Sequence, residues 1–344
     1  MARAMGSVGL RFRSFQLASW TCALLATLAG TAVATDGSGA TGQTVQVPSV
    51  ETRLVLHNAP NQPLPPGSRV PLSARPPLLA GDDQVTSLWV RGLRLEDELR
   101  FVESSRAWEE VVQRVPQQSH TYWRIARNYL RQGQMIPEER VDEQRKYYAL
   151  TEEWSDRGLK IDPQCAECYL YKFAGLGRKI FLGNIVTATR RASELAELLD
   201  RSIALQPQYR DNEWNSELGN LYYAAAAFYR VLPEWRWLKW VIGVRGDKQR
   251  ALEYSRKANE ISRGRVDYHL ALGASLLCVG SEKKRTELID EGMSVLNRIE
   301  HLHGHMETDE RDRVIAKALA SQPERACGYT HHNWIDVDKE LAGS

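Results

Sequence analysis

The sequence predicts an all-α fold, a solenoid of stacked helical hairpins, and three observations carry that prediction. Apolar residues recur at intervals of three and four between Ser87 and Leu296. Helix-stopping residues recur between those runs, at Pro116, Gly133, Pro163 and Pro207. The stretches GLKIDPQ, SIALQPQ and ANEISRG each set a small and an apolar residue ahead of a break, as expected of repeated hairpins that bury one another's apolar faces.

Taken in order, helical patterning starts near Ser87 with Leu93, Leu95, Leu99 and Val102, continues through Trp108, Val111, Val112 and Val115, and stops at Pro116. A second unit pairs a helix carrying Tyr122, Trp123, Ala126 and Leu130 with one carrying Tyr147, Leu150, Trp154 and Leu159. The third begins at Ala166 with Tyr169, Tyr171 and Phe173, and returns through Ala192, Leu195, Leu199 and Ile203. The fourth starts near Trp214. Its Leu218, Gly219 and Tyr222 face Ala251, Tyr254 and Ala258, small residues where two helices approach and large ones in the seam. A fifth sets Leu270, Leu272, Gly273 and Leu276 against Leu288, Ile289, Met293 and Leu296.

The fourth unit is interrupted. Pro233 ends its first helix, Gly243 and Gly246 close an insert spanning 230–247, and helix resumes at Ala251. Trp237, Trp240, Val241 and Val244 fall at i, i+3, i+4, i+7 and so share one face of a short helix, with Arg236 and Lys239 off it. A buried aromatic removes about 150–250 Å² from water, so the Trp side chains of this insert are expected to cover the core, dock a partner or enter a membrane interface.

At 344 residues, 26% charged and 43% hydrophobic, the chain has ordinary globular composition, with helical repeats expected over 86–300. A formal charge of +2 is too small to imply nucleic-acid binding through counterion release. Arg11 and Arg13 precede the apolar run Leu17 to Val33, which closes in Ala32-Val33-Ala34. That order predicts a signal peptide over 1–34, cleaved after Ala34, and hence export to a periplasmic or extracellular location. Cys22 lacks the preceding small residues of a lipidation site, and the run is short for a membrane span. Residues 35–85, Gly-rich and then Pro-rich, predict an irregular linker; Val45 to Leu56 alternates enough for an edge strand at most. The polar segment 301–344 predicts an extension packed back onto the last hairpin, with a helical turn or two over Val314 to Leu319.

The Leu218-Gly219-Tyr222 pattern and the repeated endings resemble tetratricopeptide repeats. Within that class, residues 120–300 are similar to the helical repeat domain of the regulator of microtubule dynamics family. The likeness rests on the turn Ser202-Ile203-Ala204-Leu205-Gln206-Pro207 and on the Pro-Trp basic insert before Ala251, Tyr254 and Ala258. The resemblance implies a tetratricopeptide-like right-handed superhelix and a tendency to bind proteins. Periplasmic tetratricopeptide components of binding-protein-dependent transporters are a second resemblance.

Besides the Trp-rich insert, two groups of residues could carry chemistry. Cys165-Ala166-Glu167-Cys168 at a helix start has the spacing of a redox pair, because the helix terminus lowers a thiol pKa. It sits between helical repeats without a βαβ setting, so a structural disulfide or buried thiols is the favoured alternative; Tyr169 after Cys168 excludes haem attachment. With Cys278 and Cys327 the expected mature chain holds four cysteines, which allow three complete pairings. His301, His303, His305, His331 and His332 with Cys327 offer metal-ligand types, yet only His301 and His305 share a helix face, and a solvated surface is favoured over a metal site.

No phosphate-binding glycine loop, G-x-S-x-G elbow or HExxH pattern occurs, and Gly175-Leu176-Gly177 reads as close helix packing. The expected function is therefore a non-catalytic scaffold that needs no cofactor and binds a protein or peptide. Its candidate contacts are Tyr122, Trp123, Asn128, Tyr169, Lys172, Asn215, Asn220 and Tyr223 on a concave face, with Trp235, Trp237 and Trp240 in the insert, where peripheral membrane contact is a further expectation. The alternatives are a transporter-associated component handling a small molecule or metal, and a redox enzyme acting through Cys165 and Cys168.

Overall fold

In the computed structural model, which describes residues 83–329 apart from Glu138, 183–184, Glu213, Pro233, Trp235, 237–238 and 241–242, the chain is all-α. Eleven helices occur among the described residues: α1 (Asp83–Asp97), α2 (Phe101–Arg114), α3 (Ser119–Met135), α4 (Val141–Ile161), α5 (Ala166–Phe181), α6 (Ile185–Leu205), α7 (Glu217–Val231), α8 (Lys248–Ile261), α9 (Val266–Lys283), α10 (Thr286–Arg298) and α11 (Asp309–Ser321). The only strand-like pairing among them is one antiparallel bridge between Arg210 and Ser216. The expected signal peptide, most of the linker with its edge strand, Pro233, Trp235, Trp237, Val241, His331 and His332 lie outside the described residues.

Each helix packs on the next in sequence, and α3, α5, α7 and α9 also touch one another in order, while contacts among the return helices α4, α6, α8 and α10 are marginal. The first helices of the hairpins therefore form the tighter, inner layer. Small residues permit the close pairing: a Cβ on Gly133 of α3 would come within 2.6 Å of the Tyr148 ring on α4, and one on Gly273 of α9 within 2.4 Å of Leu296 on α10. Ala251 and Ala258 of α8 are fully buried, as their spacing predicts.

Three features depart from the sequence reading. First, α1 begins at Asp83, inside the expected linker, and the run from Ser87 to Val115 is two helices rather than one pattern. Leu99 adopts φ 57° and closes α1, with the Arg100 N–H donating to the Leu95 carbonyl at 2.8 Å. This left-handed C-terminal turn usually takes glycine, so nothing in the residue type announces it. Lys284 closes α9 in the same way, with Arg285 bonding back to Gly280. Second, Val244 is buried in a non-helical stretch while Trp240 is 90% exposed, so these two do not share the single helical face that their spacing suggests. Third, the turn or two expected near Val314 is the whole of α11, which packs on α9 and α10.

Candidate functional site

The inner layer buries charge. On α3, Arg124 and Arg127 lie three residues apart on one face, four and seven beyond His120, and both guanidinium groups are almost completely withdrawn from solvent. Glu96, at the end of α1, accepts from Arg124 at 2.7 Å and from Arg127 at 2.5 Å through one oxygen, and from the Trp108 indole N–H at 2.9 Å through the other. The loop after α6 delivers Asp211, which pairs with both arginines and accepts from the Asn215 amide at 3.0 Å. Glu217, in the first turn of α7, accepts from Arg127 at 2.6 Å, Tyr171 at 2.5 Å and Asn220 at 3.2 Å. Every oxygen of the three carboxylates thus accepts at least one hydrogen bond.

The loop at 206–216 is shaped for this delivery. Gln206 turns the chain with φ 54°, Glu167 accepts from the Gln208 and Tyr209 amides, and the Glu217 N–H donates to the Tyr209 carbonyl at 2.9 Å. The Asn212 side chain accepts from the Trp214 and Asn215 amides at 3.1 and 2.8 Å, holding Asp211 toward α3. Aromatic rings seal the cluster: the Arg124 guanidinium lies 4.7 Å from the Trp123 ring centre and 5.3 Å from that of Trp108.

Burial and these partners set the protonation states. Asp211 is held well below the usual carboxylate range because Arg124 and Arg127 outweigh its burial. Burial, reinforced by Arg124, pushes His120 far below its ordinary value, so its imidazole is neutral and accepts the Arg124 Nε–H at 2.9 Å. The Trp123 indole N–H also approaches the other ring nitrogen, at 3.2 Å, but a neutral imidazole has one acceptor nitrogen, and the shorter charge-assisted bond takes it. Tyr171 is driven well above its usual value by burial and by Glu217.

A second cluster occupies the other end of the layer. Arg265 pairs with Asp267 and donates to the Asn220 carbonyl oxygen at 3.0 Å, which also accepts the Tyr268 hydroxyl at 2.8 Å. Arg230, at the end of α7, is buried with no carboxylate partner among the described residues: it donates to the backbone carbonyls of Tyr329 at 2.9 Å and Ala271 at 3.4 Å, and burial lowers its pKa. Asp309 caps its own turn by accepting from the His305 and Met306 amides, and burial pushes it up to about 6. Asp312, fully buried and accepting from the Thr308 hydroxyl at 2.8 Å, is pushed up to about 7 by burial and by Asp267.

The residues expected on the concave face separate into two groups. Trp123, Asn215, Asn220 and Tyr223 do gather along the inner layer, Trp123 buried beneath Arg124 and the other three half-buried. Tyr122 and Asn128 turn elsewhere: Tyr122 donates to the Pro116 carbonyl and packs near Trp154, and Asn128 donates to Ser104 on α2. Lys172 pairs with Asp156 on α4 at 2.7 Å, and Tyr169 packs toward α6 beneath Arg201. On α5 the inner register is instead Glu167 and Tyr171, which reach the loop and Glu217. Trp240 stands in solvent, well away from the core.

Sequence reasoning missed Glu96, Arg124, Arg127, Asp211, Glu217 and Arg230. A signal existed for α3, whose arginines interleave with Tyr122, Trp123 and Ala126 rather than occupying an opposite, polar face.

The cysteines pair as Cys165–Cys168 and Cys278–Cys327. Cys165 caps α5, its sulfur accepting from the Cys168 N–H; both side chains are buried, and the Cys168 sulfur lies against Gly158 of α4. Cys278, Cys327 and Glu282 place ligand-type atoms within 4.8 Å of one another, but both sulfurs belong to the disulfide and lack the thiolate that binds metal. His303 and His305 have ring centres 5.0 Å apart, and the His305 ring stacks on Trp214 at 4.0 Å.

Compared with known proteins, the chain matches no family model and no curated protein.

Proposed function

We propose that the chain is an exported, non-catalytic scaffold, a tetratricopeptide-like right-handed solenoid that holds a protein or peptide along its inner layer of helices. One observation carries the reading: the buried network of Glu96, Arg124, Arg127, Asp211 and Glu217 ties α1, α3, the 206–216 loop and α7 together across successive hairpins. A surface fixed in this way loses little conformational entropy when it binds. The acids and bases in it are engaged with one another rather than aimed at an open cleft, and surface hollows of about 580 and 520 Å³ lie elsewhere, one between α2, α3 and α4 and one at the insert. The contact residues in this reading are Asn215, Asn220 and Tyr223.

The test is photo-crosslinking in the native cell, with the reactive group in place of Tyr223 or Asn215 and, as control, in place of Glu253 on the exposed face of α8. A discrete protein adduct from the first two positions and none from the third is expected. No adduct at either inner position, or one pattern at all three, contradicts the reading. Export is tested separately by sequencing the mature N-terminus, which is expected to begin at Thr35.

A further inference from the structure

The insert between α7 and α8 is not needed to join them, since those two helices pack directly on each other. Among its described residues, Arg236, Lys239, Trp240 and Arg245 are all exposed and line one open hollow. Trp240, at 90%, is the most exposed large hydrophobic side chain among the described residues. An indole left in water forfeits the stabilisation that burial gives elsewhere in this chain.

Exposed cations on the helices are of two kinds: Arg157 and Lys317 pair with Glu153 and Glu300, whereas Arg91, Arg106 and Lys160 stand without a carboxylate partner among the described residues, singly rather than grouped about an exposed ring. Among the described residues Arg236, Lys239 and Arg245 have none, and Arg245 donates only to the backbone carbonyl of Glu234. The Glu234 carboxylate forms no ion pair with them; it accepts the Lys248 backbone N–H at 2.7 Å and so helps start α8. The result is a protruding indole beside three cations that form no carboxylate ion pair among the described residues.

We propose that this patch docks the protein on an anionic lipid bilayer, with Trp240 at the headgroup level and Arg236, Lys239 and Arg245 against lipid phosphates. Charge complementarity selects the occupant. The three cations attract a negatively charged surface without directional demands, and an indole with one apolar body and one N–H donor suits the boundary between headgroups and chains. An acidic peptide fits less well, because the hollow these residues line is wide open to solvent and leaves the indole projecting from it rather than enclosing an anchor. The proposal is independent of the partner-binding reading of the inner layer, which lies on other residues.

Vesicle flotation of the purified full chain tests it. Binding is expected to vesicles containing about 30 mol% phosphatidylglycerol and not to phosphatidylcholine alone, and to fall sharply near 0.5 M salt as the Debye length shrinks to roughly 4 Å. Each basic residue at such a surface is worth about fivefold in affinity, so Arg236→Gln with Lys239→Gln is expected to weaken binding about 20-fold, and Trp240→Ala several-fold. All three positions are exposed, so an unchanged thermal melt serves as the folding control, and Arg245→Gln gives an independent variant should either protein melt early. Equal binding to neutral vesicles, no binding to anionic ones, or binding to polyglutamate without binding to vesicles overturns the proposal, the last assigning the patch to an acidic protein instead.

Discussion

Between α1 and the start of α7, the inner layer buries two guanidinium groups against three carboxylates. Between the end of α7 and α11 it buries the Arg265–Asp267 pair, Arg230 against backbone carbonyls, and two carboxyl groups that burial pushes toward the protonated form. Both ends remove charge from water, but by different physics. In the first, as at Arg265, opposite charges and hydrogen bonds offset desolvation; around Arg230, Asp309 and Asp312 desolvation prevails and the acids shift their titration instead. The difference teaches that burial alone does not predict how a polar group responds to pH or truncation; the partner set does.

The largest expected effect follows from breaking the first cluster. Arg127→Ala removes the group that Glu96, Asp211 and Glu217 share and leaves buried carboxylates undercompensated, so a loss of about 3–5 kcal/mol is expected in urea unfolding. A change below about 1 kcal/mol would mean that the carboxylates find water or protons easily.

The pH response separates the two ends next. The Asp211 carboxyl is held below its ordinary value, so the stability it contributes is present above that value and is lost as pH falls through the acid range below about 4. Asp312 runs the other way. Its folded value of about 7 exceeds the unfolded one of 3.8, so its favourable contribution is complete below 3.8 and disappears as pH rises through about 7. Asp312→Asn keeps the shape of the protonated acid and removes that titration. It is expected to raise stability above pH 7 by about 1–3 kcal/mol, by roughly a third of that at pH 5 and by little below pH 3.8, read from melting temperature against pH. Identical pH profiles for the variant and the parent would contradict the assignment.

The smallest effect is expected at Arg230. Because it has no carboxylate partner among the described residues, Arg230→Met strands no charge, replaces a costly buried cation with an apolar side chain of similar length, and is expected to change stability by no more than about 1 kcal/mol in either direction. A loss as large as that of Arg127→Ala would erase the distinction between the two ends.

Much of the helical architecture was legible because hairpin packing imposes spacing on the residues that meet. Ala251, Tyr254 and Ala258 are buried as their pattern predicts, and Gly273 lies against the partner helix. The break at Leu99 was not legible, since a left-handed turn made by leucine has no compositional mark. The inner register on α5 was misread for a related reason. Tyr169, Tyr171 and Phe173 fall at alternate positions around the helix, and only the loop carrying Asp211 and the first turn of α7 decide that Tyr171 faces inward. The charge network itself joins residues as far apart as Arg124 and Asp211, and a contact of that range leaves no local pattern to read.

The account rests on the buried charges acting as one energetic unit across hairpins. A double-mutant cycle between Arg127 and Glu217, using Arg127→Met, Glu217→Gln and the double variant in urea unfolding at pH 7, measures this most directly. A coupling energy of about 1.5–3 kcal/mol is expected, with the double variant more stable than the sum of the single losses predicts. Strictly additive losses would contradict it.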